Sequence, residues 1–234
     1  MILMAIMHGL FVFVLVFLHG HDEQTPAIQH YEIMKIFKVY PENIDRRAID
    51  AAVDALRDGL AVVYPTDSLY AIGCAALDNG AVERICRIKG IDPKKSELSI
   101  ICDSLSQAAE YARIDNRAFR MLKANLPGPF TFILPASTTL PKVFKGRRAV
   151  GIRIPDNKVA TALVSALGQP LMTTSITYET PDEAENPDEI ALRYANIAAV
   201  MINGGDGQTE PSTVVDLTDS SEPEIIRQGA GTLE

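Results

Sequence analysis

The chain has 234 residues, is 47% hydrophobic and carries a net charge of −8. The apolar share suffices for one well-buried core, and the acidic balance excludes a global basic field for nucleic acid, leaving room only for a local patch. All four histidines, His8, His19, His21 and His30, precede Met34, which excludes a Ser-His-Asp triad or a histidine-bearing zinc site in the rest of the chain.

The first segment, Met1 to Leu18, is apolar, and no Lys or Arg occurs before residue 34. A signal peptide or membrane anchor would carry a positive flank. The leading expectation is therefore an extended start with Met34 as the natural first residue, with an anchor, a signal or a docking segment as alternatives. The composition break sets a boundary between an extension, 1–33, and a domain, 34–234.

From there strand-like and helix-like runs alternate. Met34–Tyr40 predicts a strand. Ile44–Asp58 predicts a helix, with Ala48, Ile49, Ala52, Val53 and Leu56 on one face and Gly59 at its C-terminal cap. Leu60–Tyr64 is a continuous apolar run stopped by Pro65, which suits a strand buried on both faces. A helix over Asn79–Lys89 and a strand over Leu98–Cys102 follow. Ser104–Ala112 and Asp115–Asn125 are helices with N-capping residues. Phe130–Pro135 and Ala149–Ile154 are strands. Asn157–Leu167 is a helix ended by Gly168, and Leu171–Thr174 a short strand. Tyr178–Asn186 is expected to be an exposed loop over the site. Pro187–Ala195 is a helix with proline at its start and acids in its first turn. Ala198–Ile202, Thr213–Leu217 and Glu224–Arg227 complete the strands. The sum is one α/β domain with a twisted, mixed sheet and helices on both sides.

Cys74, Cys86 and Cys102 have no CxxC spacing. They are expected to be buried thiols of a reducing compartment, the cytoplasm. Phosphate-loop, dinucleotide, zinc-protease and nucleophile-elbow fingerprints are all missing. A phosphate would therefore be held by side-chain cations, hydroxyls and scattered amides.

Four separated motifs offer such groups at the ends of apolar runs, where open α/β sheets bind ligands. They are Pro65-Thr66-Asp67-Ser68-Leu69-Tyr70, Pro127-Gly128-Pro129-Phe130-Thr131, Arg153-Ile154-Pro155 with Thr174-Ser175, and Pro211-Ser212-Thr213-Val214-Val215-Asp216. Thr66 and Ser68 serve equally as turn residues. Lys89 sits at a helix C-terminus, where a cation is favourable in any case. Arg153 interrupts an apolar strand and is either a solvated strand residue or a ligand contact. Gly204-Gly205-Asp206-Gly207 is either an amide nest for anions or a plain connection. Arg227-Gln228-Gly229 closes the last strand.

In this order the motifs resemble the YrdC-like family of L-threonylcarbamoyladenylate synthases, from about Met34 to the C-terminus, and most closely its shorter YciO-type branch. The resemblance implies an α/β fold with a deep cationic cavity. It implies a reaction of L-threonine, bicarbonate and ATP, with Mg²⁺, giving threonylcarbamoyl-AMP and pyrophosphate for a tRNA adenosine modification. It also implies double-stranded RNA or tRNA as partners. Carried over residue by residue, Thr66 and Ser68 would hold threonine or its carbamate. Lys89 and Arg153 would face phosphate or carboxylate charge as the catalytic cations. Ser175 and Thr177 would orient the amino-acid part, and Thr131, Ser212 and Arg227 would complete the nucleotide site. No protein metal ligand is implied.

Two departures stand out. The family's Lys-x-Arg reads Lys89-Gly90-Ile91, and its Ser-x-Asn reads Ser175-Ile176-Thr177. Loss of one preorganised donor costs ~2.7–4 kcal/mol in a transition state. Lys94 or Lys95 would replace the charge of the missing arginine without its planar fork. Two other readings follow. One is an RNA- or ribosome-associated protein using a basic rim of Lys142, Lys145, Arg147 and Arg148. The other is an enzyme that cleaves or transfers from a carbamoyl adenylate.

Overall fold

A computed structural model describes residues 34–40, 42–90, 92, 98–140 and 148–234, all within the unit Glu32–Glu234. The expectations for residues 1–33, for Ile91, Lys94 and Lys95, and for Lys142, Lys145 and Arg147 lie outside the described residues.

Each helix starts where a short polar side chain accepts from a free first-turn amide. Asp45 caps α1 (Arg46–Arg57), Asp78 caps α2 (Asn79–Ile88), and Ser104 caps α3 (Leu105–Tyr111). Asp115 caps α4 (Asn116–Asn125), and Asn157 caps α5 (Lys158–Leu167). Thr180 caps α6 (Pro181–Glu185), and Asn186 caps α7 (Pro187–Tyr194). Gly168 ends α5 in the left-handed region at φ 73°, a conformation glycine adopts without a Cβ penalty.

The strands are β1 (Lys35–Lys38), β2 (Val62–Tyr64), β3 (Ala71–Ala75), β4 (Ser99–Ile101), β5 (Phe130–Pro135), β6 (Ala149–Arg153), β7 (Leu171–Ser175), β8 (Val200–Asn203), β9 (Thr213–Asp216) and β10 (Glu224–Arg227). They form one sheet in the order β1-β8-β2-β3-β7-β4-β6-β5-β9-β10. The β1–β8, β2–β8, β4–β6 and β5–β9 pairs are parallel. The β2–β3, β3–β7, β4–β7, β5–β6 and β9–β10 pairs are antiparallel. The sheet is mixed, as the sequence predicts.

Strand alternation sends successive side chains to opposite faces, and each face has its own core. On one face α1 and α5 pack Leu56, Val53, Leu163 and Val164 against Val62, Tyr64, Leu171 and Ile202. On the other α2, α3, α4 and α7 pack Ile85, Ala108, Leu122 and Tyr194 against Val63, Ile72, Ile100, Phe132 and Met201. Among the described residues, the α1–α5 core takes no side chain from β5, β6, β9 or β10. That stretch of the sheet is therefore bare of helix on one face, and the site is there. Leu56 is fully buried in the α1–α5 core. Leu56→Ala should cost roughly 2–5 kcal/mol in urea denaturation, and a loss well under that range would mean that the helix pair does not carry this layer.

Two elements differ from the sequence reading. Ala71–Ala75 is a strand, fully buried between β2 and β7. Its sequence, Ala-Ile-Gly-Cys-Ala, has little intrinsic strand preference, and the two flanking ladders impose its conformation. Tyr178–Asn186 is no plain exposed loop. It contains α6, whose Ala184 is fully buried, and none of its residues lines the cavity described next.

Candidate active site

A cavity of about 240 Å³ opens on the same face of the sheet as α1 and α5, running from the edge of the α1–α5 core at β7 and β4 onto the bare stretch of β6, β5 and β9. Alternation places Thr131 and Ile133 of β5, Gly151 and Arg153 of β6, Ser99 of β4 and Thr173 and Ser175 of β7 along its wall. Ser212, Val214 and Arg227 close the side toward β10. Gly151 leaves room where a Cβ would collide with Ser99 Oγ. The wall is rich in hydroxyls and carries two guanidinium groups.

Arg153 is 4% exposed. A buried guanidinium needs a counter-charge and acceptors, and the turn after β2 supplies both. Its Nη2 donates to Asp67 Oδ1 at 3.1 Å and to Ser68 Oγ at 2.9 Å. The other oxygen of Asp67 accepts the Asp156 N–H at 2.7 Å, which ties the β2 turn to the loop after β6. Arg153 Nε is buried with no acceptor among the described residues. Burial pushes the Arg153 pKa down and the Asp67 pKa up. The attraction between the two offsets part of each shift, and the nearby Arg227 cation adds to the fall at Arg153.

Thr66 shapes the same turn. Its Oγ1 donates to the Leu69 carbonyl at 2.7 Å and accepts the Ser68 N–H at 3.1 Å. Thr66 and Ser68 are buried and do not line the cavity. Ser68 reaches it only through Arg153.

On the far side, Thr131 Oγ1 and Ser212 Oγ are 2.9 Å apart and hydrogen-bonded. Arg227 folds back over Ser212, with Nη2 donating to the Ser212 carbonyl at 2.8 Å and Nε to the same oxygen at 3.2 Å. Lys89, the C-cap residue of α2, donates from Nζ to the Ser175 carbonyl at 2.8 Å and to Thr177 Oγ1 at 2.6 Å. Partial burial lowers its pKa. Lys89 and Thr177 fasten the end of β7 and do not line the cavity.

Five of the nine residues singled out from the sequence, Thr131, Arg153, Ser175, Ser212 and Arg227, thus line one cavity. Thr66 and Ser68 support Arg153 from the turn, and Lys89 and Thr177 support the Ser175 backbone. Asp67, Ser99 and Thr173 join the site without being singled out by the sequence pattern. A lone arginine inside an apolar strand was a signal for a buried acid, and Asp67 is the acid within the first motif. Ser99 and Thr173 gave no signal, because a hydroxyl in a strand is ordinary. The glycine-rich stretch after β8 is a plain connection. Gly204 N–H donates to Tyr70 Oη at 2.9 Å, Gly205 N–H to Asn203 Oδ1 at 2.9 Å and Gly207 N–H to the Glu185 carbonyl at 2.8 Å, so these amides are already spent. No described helix is long and apolar enough to cross a membrane.

The mixed sheet and the cavity on its face define an α/β protein with a pocket lined by two arginines and several hydroxyls. Residues 54–229 match the Sua5/YciO/YrdC family model, whose description reads "Telomere recombination", and the chain belongs to this family. It is 41% identical to an uncharacterized Haemophilus influenzae protein, with 85% of this chain and 97% of that one covered. It is 39% identical to YciO of Escherichia coli K12, with 86% and 98% covered. The crystal structure of E. coli YciO superposes with a TM-score of 0.79 at 38% identity, covering 86% of this chain and 98% of that one. A threonylcarbamoyl-AMP synthase of E. coli K12 is 29% identical, with 80% and 98% covered. Sua5 of P. abyssi complexed with L-threonine has a TM-score of 0.74 at 31% identity, covering 83% of this chain and 57% of that one.

Proposed function

We propose that the chain is a nucleotidyltransferase that makes L-threonylcarbamoyl-AMP from L-threonine, bicarbonate and ATP, for the N6-threonylcarbamoyl modification of tRNA adenosine. The observation that carries the reading is the convergence of Arg153, Arg227 and the hydroxyls of Thr131, Ser175 and Ser212 on one cavity. The threonine amine takes up bicarbonate as a carbamate with loss of water. A carbamate oxygen then attacks the α-phosphorus, and the bond to the bridging oxygen breaks as pyrophosphate leaves. Such a step asks the protein for positioning and charge stabilisation rather than for a nucleophile, which a histidine-free domain can supply.

In this reading Arg227, Ser212 and Thr131 bind the nucleotide, and Ser175 orients the amino acid. Arg153 faces the developing charge, held at its angle by Asp67 and Ser68. Among the described residues no group of three His, Cys, Asp or Glu side chains could hold a metal ion. In this reading Mg²⁺ enters with the substrate as MgATP, carried by its phosphates.

A second reading, an enzyme that consumes a preformed carbamoyl adenylate, is favoured by Lys89. Its Nζ already has two protein acceptors and stands off the cavity wall, so a bound triphosphate would have to compete for it. The experiment is incubation of the full chain with MgATP, L-threonine and labelled bicarbonate, followed by chromatography for the adenylate and pyrophosphate. The expected result is labelled adenylate with equimolar pyrophosphate. No product and no ATP binding in calorimetry would refute the synthase reading. Loss of supplied threonylcarbamoyl-AMP in the same preparation would establish the second.

A further inference from the structure

Tyr64 and Thr173 face each other across the sheet beneath the cavity. Tyr64 is fully buried on β2, and its hydroxyl is 2.9 Å from Thr173 Oγ1. Space for the phenol exists because residue 73 is glycine; a Cβ there would lie 2.8 Å from Tyr64 Oη and 2.6 Å from the Met172 carbonyl. Burial pushes the Tyr64 pKa further up, so the phenol keeps its proton at neutral pH. That proton needs an acceptor in a dry interior, and Thr173 Oγ1 is the one provided.

A hydroxyl that accepts still carries its own hydrogen. Thr173 is 4% exposed and lines the cavity, and its hydrogen finds no acceptor among the described residues. The arrangement points one donor into the cavity, between Ser175 on the same strand and Arg153.

We propose that Thr173 is a specificity-determining, substrate-contacting residue: Tyr64 fixes its hydroxyl as a donor, and it takes an anionic oxygen of the ligand, carboxylate or phosphoryl. The inference rests on the proposed adenylate site for its choice of ligands. Tyr64 takes up one of the two lone pairs of that hydroxyl, and the remaining hydrogen donates to an acceptor oxygen of the ligand.

The test is calorimetric titration of the full chain with L-threonine, with AMP and with inorganic phosphate, for wild type, Thr173→Val, Thr173→Ser, Tyr64→Phe and the double variant Tyr64→Phe/Thr173→Val. The double variant removes both partners together and leaves no orphaned donor, so it keeps the fold even where Thr173→Val alone does not. Both valine variants should lose about 10- to 100-fold in affinity for the ligand whose oxygen Thr173 takes, the range for a hydrogen bond to a charged group. A loss confined to L-threonine identifies a carboxylate, and a loss confined to AMP and phosphate identifies a phosphoryl oxygen. Thr173→Ser should restore affinity, and Tyr64→Phe alone should lose less than the valine variants. Unchanged affinity for all probes in the double variant overturns the proposal. So does an equal loss for every probe that serine does not rescue, since a merely structural role behaves that way. If wild type binds phosphate but neither L-threonine nor AMP, the adenylate reading falls while the phosphate series still decides Thr173; if it binds none of the three, both fall.

Discussion

Arg153→Met will unfold about 10 °C below wild type and will bind no anionic ligand in the cavity. The substitution leaves the Asp67 carboxylate, 8% exposed, with main-chain amides, those of Asp156 and of Asp67 itself, in place of a counter-charge. Breaking a buried pair by removing one partner costs roughly 3–5 kcal/mol, and a domain of this size shifts by about 2–4 °C per kcal/mol. The double variant Asp67→Leu/Arg153→Met should recover most of that stability, because burial works against both charges: it raises the Asp67 pKa and lowers the Arg153 pKa despite their attraction. Ligand binding should stay lost in the double variant. Scanning calorimetry with parallel ligand titration separates the two effects. A single variant as stable as wild type would show that burial of Asp67 does not depend on Arg153. The pair also sets a pH dependence. Because the folded chain holds the Asp67 proton above the ordinary carboxylate value of 3.8, it binds more protons than the unfolded chain in that window. The contribution of Asp67 to stability therefore falls as pH rises from that value through the raised one, and Asp67→Asn removes the slope.

Gly229→Ala should damage both the stability of the fold and the cavity's grip on a ligand. The tail after β10 runs against Pro211-Ser212-Thr213 with no space between backbones. A Cβ on Gly229 would strike the Pro211 carbonyl and stand 2.7 and 2.8 Å from the Ser212 carbon and oxygen. These are main-chain atoms and cannot rotate aside. The same contact is held by Thr213 Oγ1, which accepts the Gly229 N–H at 2.9 Å and the Gly231 N–H at 3.1 Å. Pushing the tail off Ser212 pulls Arg227 from the carbonyl it now grips. Overpacking costs roughly 1–3 kcal/mol, and losing a positioned cation should weaken AMP binding by about 10- to 100-fold. Gly168→Ala is the control, since Gly168 has a left-handed φ of 73° but nothing within 4 Å of a Cβ. It should lose some stability through strain at positive φ and no affinity. Equal behaviour of the two alanine variants would contradict the steric account.

Elements fixed by short-range interactions are legible in the sequence, and those fixed by long-range ones are not. Helices α1 and α5 could be read directly, because Asp45, Asn157 and Gly168 act within a few residues of the helix ends they fix, and a one-sided apolar face repeats along each helix. The buried strand Val62–Tyr64 was legible from its unbroken apolar run and the proline that stops it. Strand β3 was not. Its small residues carry no preference of their own, and it is a strand because β2 and β7 hydrogen-bond to both its edges. Helix α6 was hidden by its acids and proline, which suit a loop as well as a first turn.

The site shows the same division. Composition and spacing alone determined that residues 34–234, which hold no histidine, offer cations and hydroxyls as their polar groups, and that Arg153 in an apolar strand was out of place. Only the tertiary structure decided which charge answers it, since Asp67 lies 86 residues earlier in the chain. It also decided that Ser99 and Thr173 face the cavity, that Lys89 is fastened to the end of β7, and that the glycine-rich amides are consumed within the fold. The physical reason is that residue type states what a side chain can donate or accept, whereas the partner that takes it up depends on strand order and register, which pair residues far apart in sequence.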